Sequence, residues 1–114
     1  MNRKYSLKKN KDIDTVFNMK KSIKNTSYTI YLGALTNKLR IAISISKRCG
    51  NAVVRNYEKR IVKEVIRPFL EKIIKRDYLI VIKEGVTKLS FSEKKEQLTQ
   101  LLKKISIQEG DKNE

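Results

Sequence analysis

Between residues 39 and 67 the spacing of apolar side chains changes from every second position to helical spacing, with Gly50 in the turn between the two regimes. Residues 39–46 alternate: Leu39, Ile41, Ile43 and Ile45 point one way, and Arg40, Ala42, Ser44 and Ser46 the other. Successive side chains of a strand face opposite sides, so one face is core and the second is small and polar. That second face leaves room for something to lie against the sheet. Lys47-Arg48-Cys49-Gly50-Asn51 reads as a turn, and residues 52–67 as a helix. At about 100° per residue, Val54, Ile61, Val65 and Phe69 fall in one narrow arc. Arg55, Asn56, Lys59, Arg60, Lys63 and Arg67 fill the opposite side. Pro68 ends or kinks the helix near Arg67, because its ring removes a backbone donor and clashes with the preceding turn.

The remaining elements follow from the same patterns. In residues 10–21 the positions Ile13, Val16 and Phe17, with Met19 beside them, form one face of a short helix, with Asn10 or Asp12 available as cap and dipole partner. Helical spacing alone assigns Phe17 to the core. Residues 28–36, rich in β-branched and aromatic side chains, read as a strand joined to residues 39–46 by a hairpin turn at Asn37-Lys38, without the glycine that marks the strongest such turns. Tyr31 and Gly33 share the open sheet face if the register allows. Residues 77–83 contain Tyr78-Leu79-Ile80-Val81-Ile82, apolar on both faces as a central strand is. Ser90 with Glu93 forms a capping box for a last helix carrying Phe91, Leu98, Leu101, Leu102 and Ile105, and the polar chain beyond Ile107 is expected to fray. The order is helix, strand, strand, helix, strand, helix, with a further strand if residues 28–36 split. It predicts an α+β protein: a two-layer α/β sandwich, with a mostly antiparallel sheet of about four strands packed with three helices. Residues 1–114 make a single domain.

Charge then narrows the chemistry. The 114 residues hold 27 Lys plus Arg against 12 Asp plus Glu, a net charge of +15, and no histidine. A chain that is 39% hydrophobic folds a core, so the excess charge sits on a folded surface and its partner is a polyanion. The missing histidine excludes Ser-His-Asp triads, Cys-His dyads and His-ligated zinc. The single cysteine, Cys49, excludes an internal disulfide and fits a reducing compartment. No apolar run approaches the roughly 18 residues of a membrane span. The basic residues 1–11 lead into Asp12 and Asp14 instead of an apolar signal stretch. The expected location is cytoplasmic, with an anionic membrane surface as a distant second reading.

The basic helix face is the sharpest signal. An ordinary solvated face mixes signs to make i,i+4 pairs, whereas this one, from Arg55 to Lys63, carries none of the acidic residues, and Lys47 and Arg48 extend it. Cations at this spacing meet successive phosphates, and Asn56 adds a hydrogen-bonding group for sugar or base edges. Phe17 and Tyr31 are candidates to stack unpaired bases. Cys49 beside Lys47 and Arg48 reads as a reactive thiol or, more simply, as a small half-buried residue at a strand end. Asp12 with Asp14, and Glu93 with Glu96, lack the character of a catalytic couple or a metal site.

The run from Ser44 to Arg60 closely resembles the signature of the bacterial ribonuclease P protein subunit, through Gly50-Asn51-Ala52-Val53, Arg55-Asn56 and Lys59-Arg60. Leu7-Lys8-Lys9-Asn10 through Val16-Phe17 is similar to that family's first helix. The resemblance implies a ribonuclease P protein-like RNA-binding domain with no catalytic residue of its own. The catalyst is a large RNA that requires Mg2+ and removes the 5′ leader of precursor tRNA. The protein binds that RNA, one copy to one, and holds the single-stranded leader in a cleft between the first helix and the sheet. By position, Phe17 and Tyr31 line the cleft, and Lys47, Arg48, Asn51, Arg55, Asn56, Lys59, Arg60 and Lys63 contact RNA. A left-handed crossover through the basic helix is implied by resemblance alone, since such connections are right-handed as a rule.

The signature departs at Tyr57, where a third basic residue is usual, and at Glu58, where an aliphatic one is. Glu58 falls on the apolar arc, where an unpaired carboxylate is costly. Tyr57 is therefore expected to take over part of the packing and Glu58 to reach an edge or a basic partner. Ile13 stands where an aromatic is common, weakening leader stacking. Outside the resemblance, size and charge fit a small structural RNA-binding protein such as a ribosomal protein equally well.

Overall fold

The computed structural model describes residues 5–106; the polar stretch beyond Ile107 and the first four residues of the basic N-terminal segment lie outside them. The chain runs α1 (Asn10–Asn18), β1 (Ser22–Lys24), β2 (Tyr28–Leu35), β3 (Arg40–Ile45), α2 (Ala52–Ile66), β4 (Arg76–Ile82) and α3 (Phe91–Lys104), with 3₁₀ turns at Lys47–Cys49, Arg67–Phe69 and Glu84–Lys88. The four strands lie in the order β1-β2-β4-β3. β1 with β2 and β2 with β4 are antiparallel, and β3 with β4 is parallel, so the sheet is mostly antiparallel in an α+β fold.

The hairpin expected at Asn37-Lys38 does not form, because β4 lies between β2 and β3. β4 is apolar on both faces: Tyr78, Ile80 and Ile82 are buried on one side and Leu79 on the other. Such a strand loses most by standing at an edge, so it takes the centre. The Asn37-Lys38 loop is instead closed by Thr36 Oγ1 donating to Lys38 O, while Thr36 N–H donates to Lys75 O. The fourth strand does not come from splitting residues 28–36. It is Ser22–Lys24, three residues that are too short to show a period.

One face of the sheet carries Tyr28, Ile30, Ile41, Tyr78, Ile80 and Ile82 against Ile61, Val62, Val65 and Ile66 of α2 and Leu98, Leu101 and Leu102 of α3. α2 ends at Ile66, where Pro68 turns the chain into the following 3₁₀ turn. α3 opens on the expected capping box, with Ser90 Oγ accepting from Glu93 N–H and Glu93 Oε1 accepting from Ser90 N–H. Phe91, placed by spacing in the core, is half exposed at the first position of that helix.

α1 crosses one end of the other sheet face. Lys9 occupies its N-cap without a side-chain bond, so neither Asn10 nor Asp12 caps it; Asp12 sits in the first turn instead. The helix stops where Lys20 takes a left-handed conformation, φ 58°. Val16 is its buried residue, packed with Leu7, Ala42 and Leu79. Gly33 permits the close approach: a Cβ there would lie 2.8 Å from Asp77 O and 2.9 Å from Val16 Cγ2. Phe17 is not core. It stays 51% exposed, because Val16 faces the sheet and the next residue is turned about 100° away.

Candidate RNA-binding site

Strand register builds the cleft. Under α1 runs the row Ser22, Tyr31, Leu79 and Ala42; the next row, beyond α1, is Lys24, Thr29, Val81 and Ser44. Ser44 and Lys24 are exposed, Val81 is half-buried and Thr29 is buried, so this second row offers one hydroxyl and one ammonium at the two ends of an apolar base. Phe17 and Tyr31 meet at its margin, ring centroids 5.1 Å apart and planes inclined at 53°. Ile13 packs into the small cluster behind them. Arg40 ties the helix to the sheet: it makes a two-pronged contact with Asp77 at 2.9 and 2.8 Å and lies 3.5 Å from Asp12. The Asp77 hydrogen bond raises the Arg40 pKa above its ordinary value.

The cationic surface lies on the opposite side of the sheet edge. Gly50, at φ 143°, makes the bend that a side chain would resist, and Asn51 Oδ1 then accepts from Val54 N–H at 3.0 Å. The Asn51 side chain is thus the N-cap of α2. From there Arg55 and Lys59 are half-buried, and Asn56, Arg60 and Lys63 are exposed. Lys47 and Arg48 are exposed in the preceding turn, where Arg48 lies 3.7 Å from Glu84, a contact that solvent weakens. Cys49 lies in that 3₁₀ turn and is buried, a packed residue as the simpler reading has it; burial, then Glu84, pushes its thiol pKa up.

The two departures from the signature are resolved together. Glu58 is buried and finds its basic partner in Lys94 of α3, Oε2 to Nζ 2.8 Å. Tyr57 does not join the core; it is 51% exposed, and Lys94 Nζ lies over its ring, 5.3 Å from the centroid. Sequence reading missed Lys24, Thr29 and Val81 as floor residues. Alternation along residues 78–82 already puts Val81 on the face of Leu79, but Lys24 required the short first strand. Among the described residues no three of His, Cys, Asp and Glu group to hold a metal ion, and no helix is long and apolar enough to cross a membrane.

An α+β domain with an aromatic-edged groove on one sheet face and a cationic helix beside it defines a class, that of small RNA-binding proteins. The Ribonuclease P family profile matches residues 1–106. The ribonuclease P protein component of Lactococcus lactis subsp. cremoris is 33% identical over 111 residues, covering 96% of this chain and 95% of its own. That of Streptococcus gordonii is 36% identical over 112 residues, covering 96% and 94%. The solved RNase P protein from Staphylococcus aureus matches with a TM-score of 0.77 at 26% identity over 93% of this chain and 94% of that one. The one from Thermotoga maritima gives 0.78 at 25% over 89% and 97%. The chain belongs to the ribonuclease P protein family, the protein subunits of a bacterial endoribonuclease that acts with its RNA in tRNA processing. The ribosomal-protein reading is not favoured by any of these matches.

Proposed function

We propose that the chain divides two contacts between two surfaces. Lys47, Arg48, Arg55, Lys59, Arg60 and Lys63 meet the backbone of the catalytic RNA, where Arg forks engage phosphate oxygens in pairs and Lys supplies point charges, and Asn56 reaches a sugar or base edge. Asn51 acts by holding the start of this helix, with its exposed amide facing the same partner. The groove takes the single-stranded 5′ leader of precursor tRNA: Phe17 and Tyr31 stack a base at its margin, and Ser44 and Lys24 meet the sugar-phosphate chain along the floor. The observation that carries this reading is the Phe17–Tyr31 pair, 5.1 Å apart beside an open sheet row in a family that works on RNA. One protein serves one RNA in the cytoplasm, and the Mg2+ of the reaction belongs to the catalytic RNA, as the family resemblance implies.

The test adds the purified chain to a bacterial ribonuclease P RNA at low magnesium and follows cleavage of precursor tRNA with long and short leaders. Stimulation that grows with leader length is expected. Absence of stimulation by folded protein with a competent RNA would sink the reading.

A further inference from the structure

We propose that Tyr57 and Val53, on the flank of α2 that faces α3, form a stacking platform for one unpaired nucleobase of the catalytic RNA, with Arg60 meeting the adjoining phosphate. The proposal deepens the RNA-binding reading above and rests on it. Positions 53, 56, 57 and 60 follow i, i+3, i+4, i+7 spacing and share one stripe of the helix. Val53 is 75% exposed and Tyr57 51%. With Asn56 and Arg60 they line a hollow of about 290 Å³ open to solvent. The Tyr57 ring is held from behind by the buried Lys94 ammonium, itself fixed by Glu58 at 2.8 Å, so its outward surface is pre-oriented.

An apolar pair set between an amide and a guanidinium matches the three parts of an unpaired nucleotide. The base face meets the ring and the valine, a base edge meets Asn56, and the phosphate meets Arg60. The net charge of +15 favours a polyanionic occupant over an apolar protein surface. Tyr57 stands about 120–160° around the helix from Arg55, Lys59 and Lys63. α2 therefore offers RNA two unlike surfaces, one of charges alone and one that grips a base.

The test measures binding of the full chain to a bacterial ribonuclease P RNA across a salt series. Tyr57→Leu keeps the bulk and loses the π face, and is expected to weaken binding about tenfold with the salt slope unchanged, because no phosphate contact is lost. Tyr57→Phe is expected to bind like the parent. Parental binding by Tyr57→Leu, an equal loss with Tyr57→Phe, or a loss accompanied by a shallower slope each overturns the platform. Thermal melting checks that Tyr57→Leu is folded. Val53→Ser, at the more exposed position, decides the matter if it is not, since weaker binding with an unshifted melt supports the platform and parental binding overturns it. Failure of the unchanged chain to bind the RNA overturns the functional reading itself, a result distinct from all of these.

Discussion

Lys94 Nζ lies 2.8 Å from Glu58 Oε2, closing a charged pair between α3 and α2 with side-chain exposures of only 5% and 3%. Both ions have been taken out of water, so the pair is a weak source of net stability but a strong constraint once in place. Glu58 Oε1 and Tyr28 Oη, both buried, have no hydrogen-bond partner among the described residues, which raises the stakes of losing the one bond that exists. Lys94→Met, which strands the carboxylate, is expected to cost about 3–5 kcal/mol in denaturant unfolding. Glu58→Leu with Lys94→Met is expected to return to the parental value or above it. A double variant as unstable as the single one would show that Glu58 is held by something other than Lys94.

Alkaline pH attacks the same core. Burial pushes the Tyr78 phenol up from 10.0 to about 12, and burial followed by the Glu58 charge pushes Tyr28 higher still. A raised folded-state pKa favours the neutral form, so the contribution is fully present below pH 10 and is lost as pH climbs from 10 through about 12. For Tyr78 that loss is on the order of 2 kcal/mol. Ultraviolet phenolate absorbance is expected to show Tyr28 and Tyr78 ionising together with unfolding. Tyr78→Phe, which also removes the bond from Tyr78 Oη to Ile74 O, is expected to flatten the alkaline fall in stability; an unchanged profile would assign that fall to other groups.

Gly33 sets how closely α1 lies on the sheet. A Cβ at 2.8 Å from backbone oxygen and 2.9 Å from Val16 must displace one layer. Gly33→Ala is expected to cost about 1–3 kcal/mol by overpacking. It is also expected to reduce discrimination between long and short leaders in cleavage assays, because α1 carries Phe17 at the groove margin. Lost stability with full leader discrimination would separate the helix position from the groove.

The two RNA surfaces answer differently to salt. Arg55→Ala combined with Lys59→Ala is expected to lower the slope of log affinity against log salt by about 2. Tyr31→Ala is expected to leave that slope alone and erode the preference for leader-bearing substrate. Equal behaviour of the two variants in binding titrations would mean that helix and groove contact one continuous RNA element.

Local patterns carried most of the elements. The alternation at residues 39–46, the Ser90–Glu93 box and the stop at Pro68 each act within a few residues of chain, and each stands where the spacing puts it. Strand adjacency did not follow, because Asn37-Lys38 says nothing about a strand some forty positions further on that claims the space between β2 and β3. Val16 and Phe17 share one apolar arc by helical spacing; only the position of the sheet decides that Val16 is buried and Phe17 exposed. Lys94 lies four positions before Leu98 on the apolar arc of α3, so spacing separates it from its exposed neighbour Lys95 but does not name a partner. Its burial follows from a carboxylate 36 positions earlier. On α2 the signature residues were legible as a set, whereas the separate roles of Asn51 as cap and Tyr57 as an outward ring needed the geometry.

Among the described residues β4 is the last strand to be synthesised, and both β2 and β3 depend on it for their long partner. A nascent chain that has emerged only through α2 therefore holds β3 with just the isolated Ser6–Ile41 bridge and β2 with just the three residues of β1 beside it. The basic residues of α2 are present on such a chain before the groove is, whereas the helix packs Ile61, Val62, Val65 and Ile66 on a sheet that still lacks its central strand. The order of synthesis thus puts the charge of α2 on the chain before the strand that completes the groove floor, which residues 76–82 supply. Placing the keystone strand late ties the groove to completion of the sheet, so a prematurely terminated chain carries charge without a binding channel.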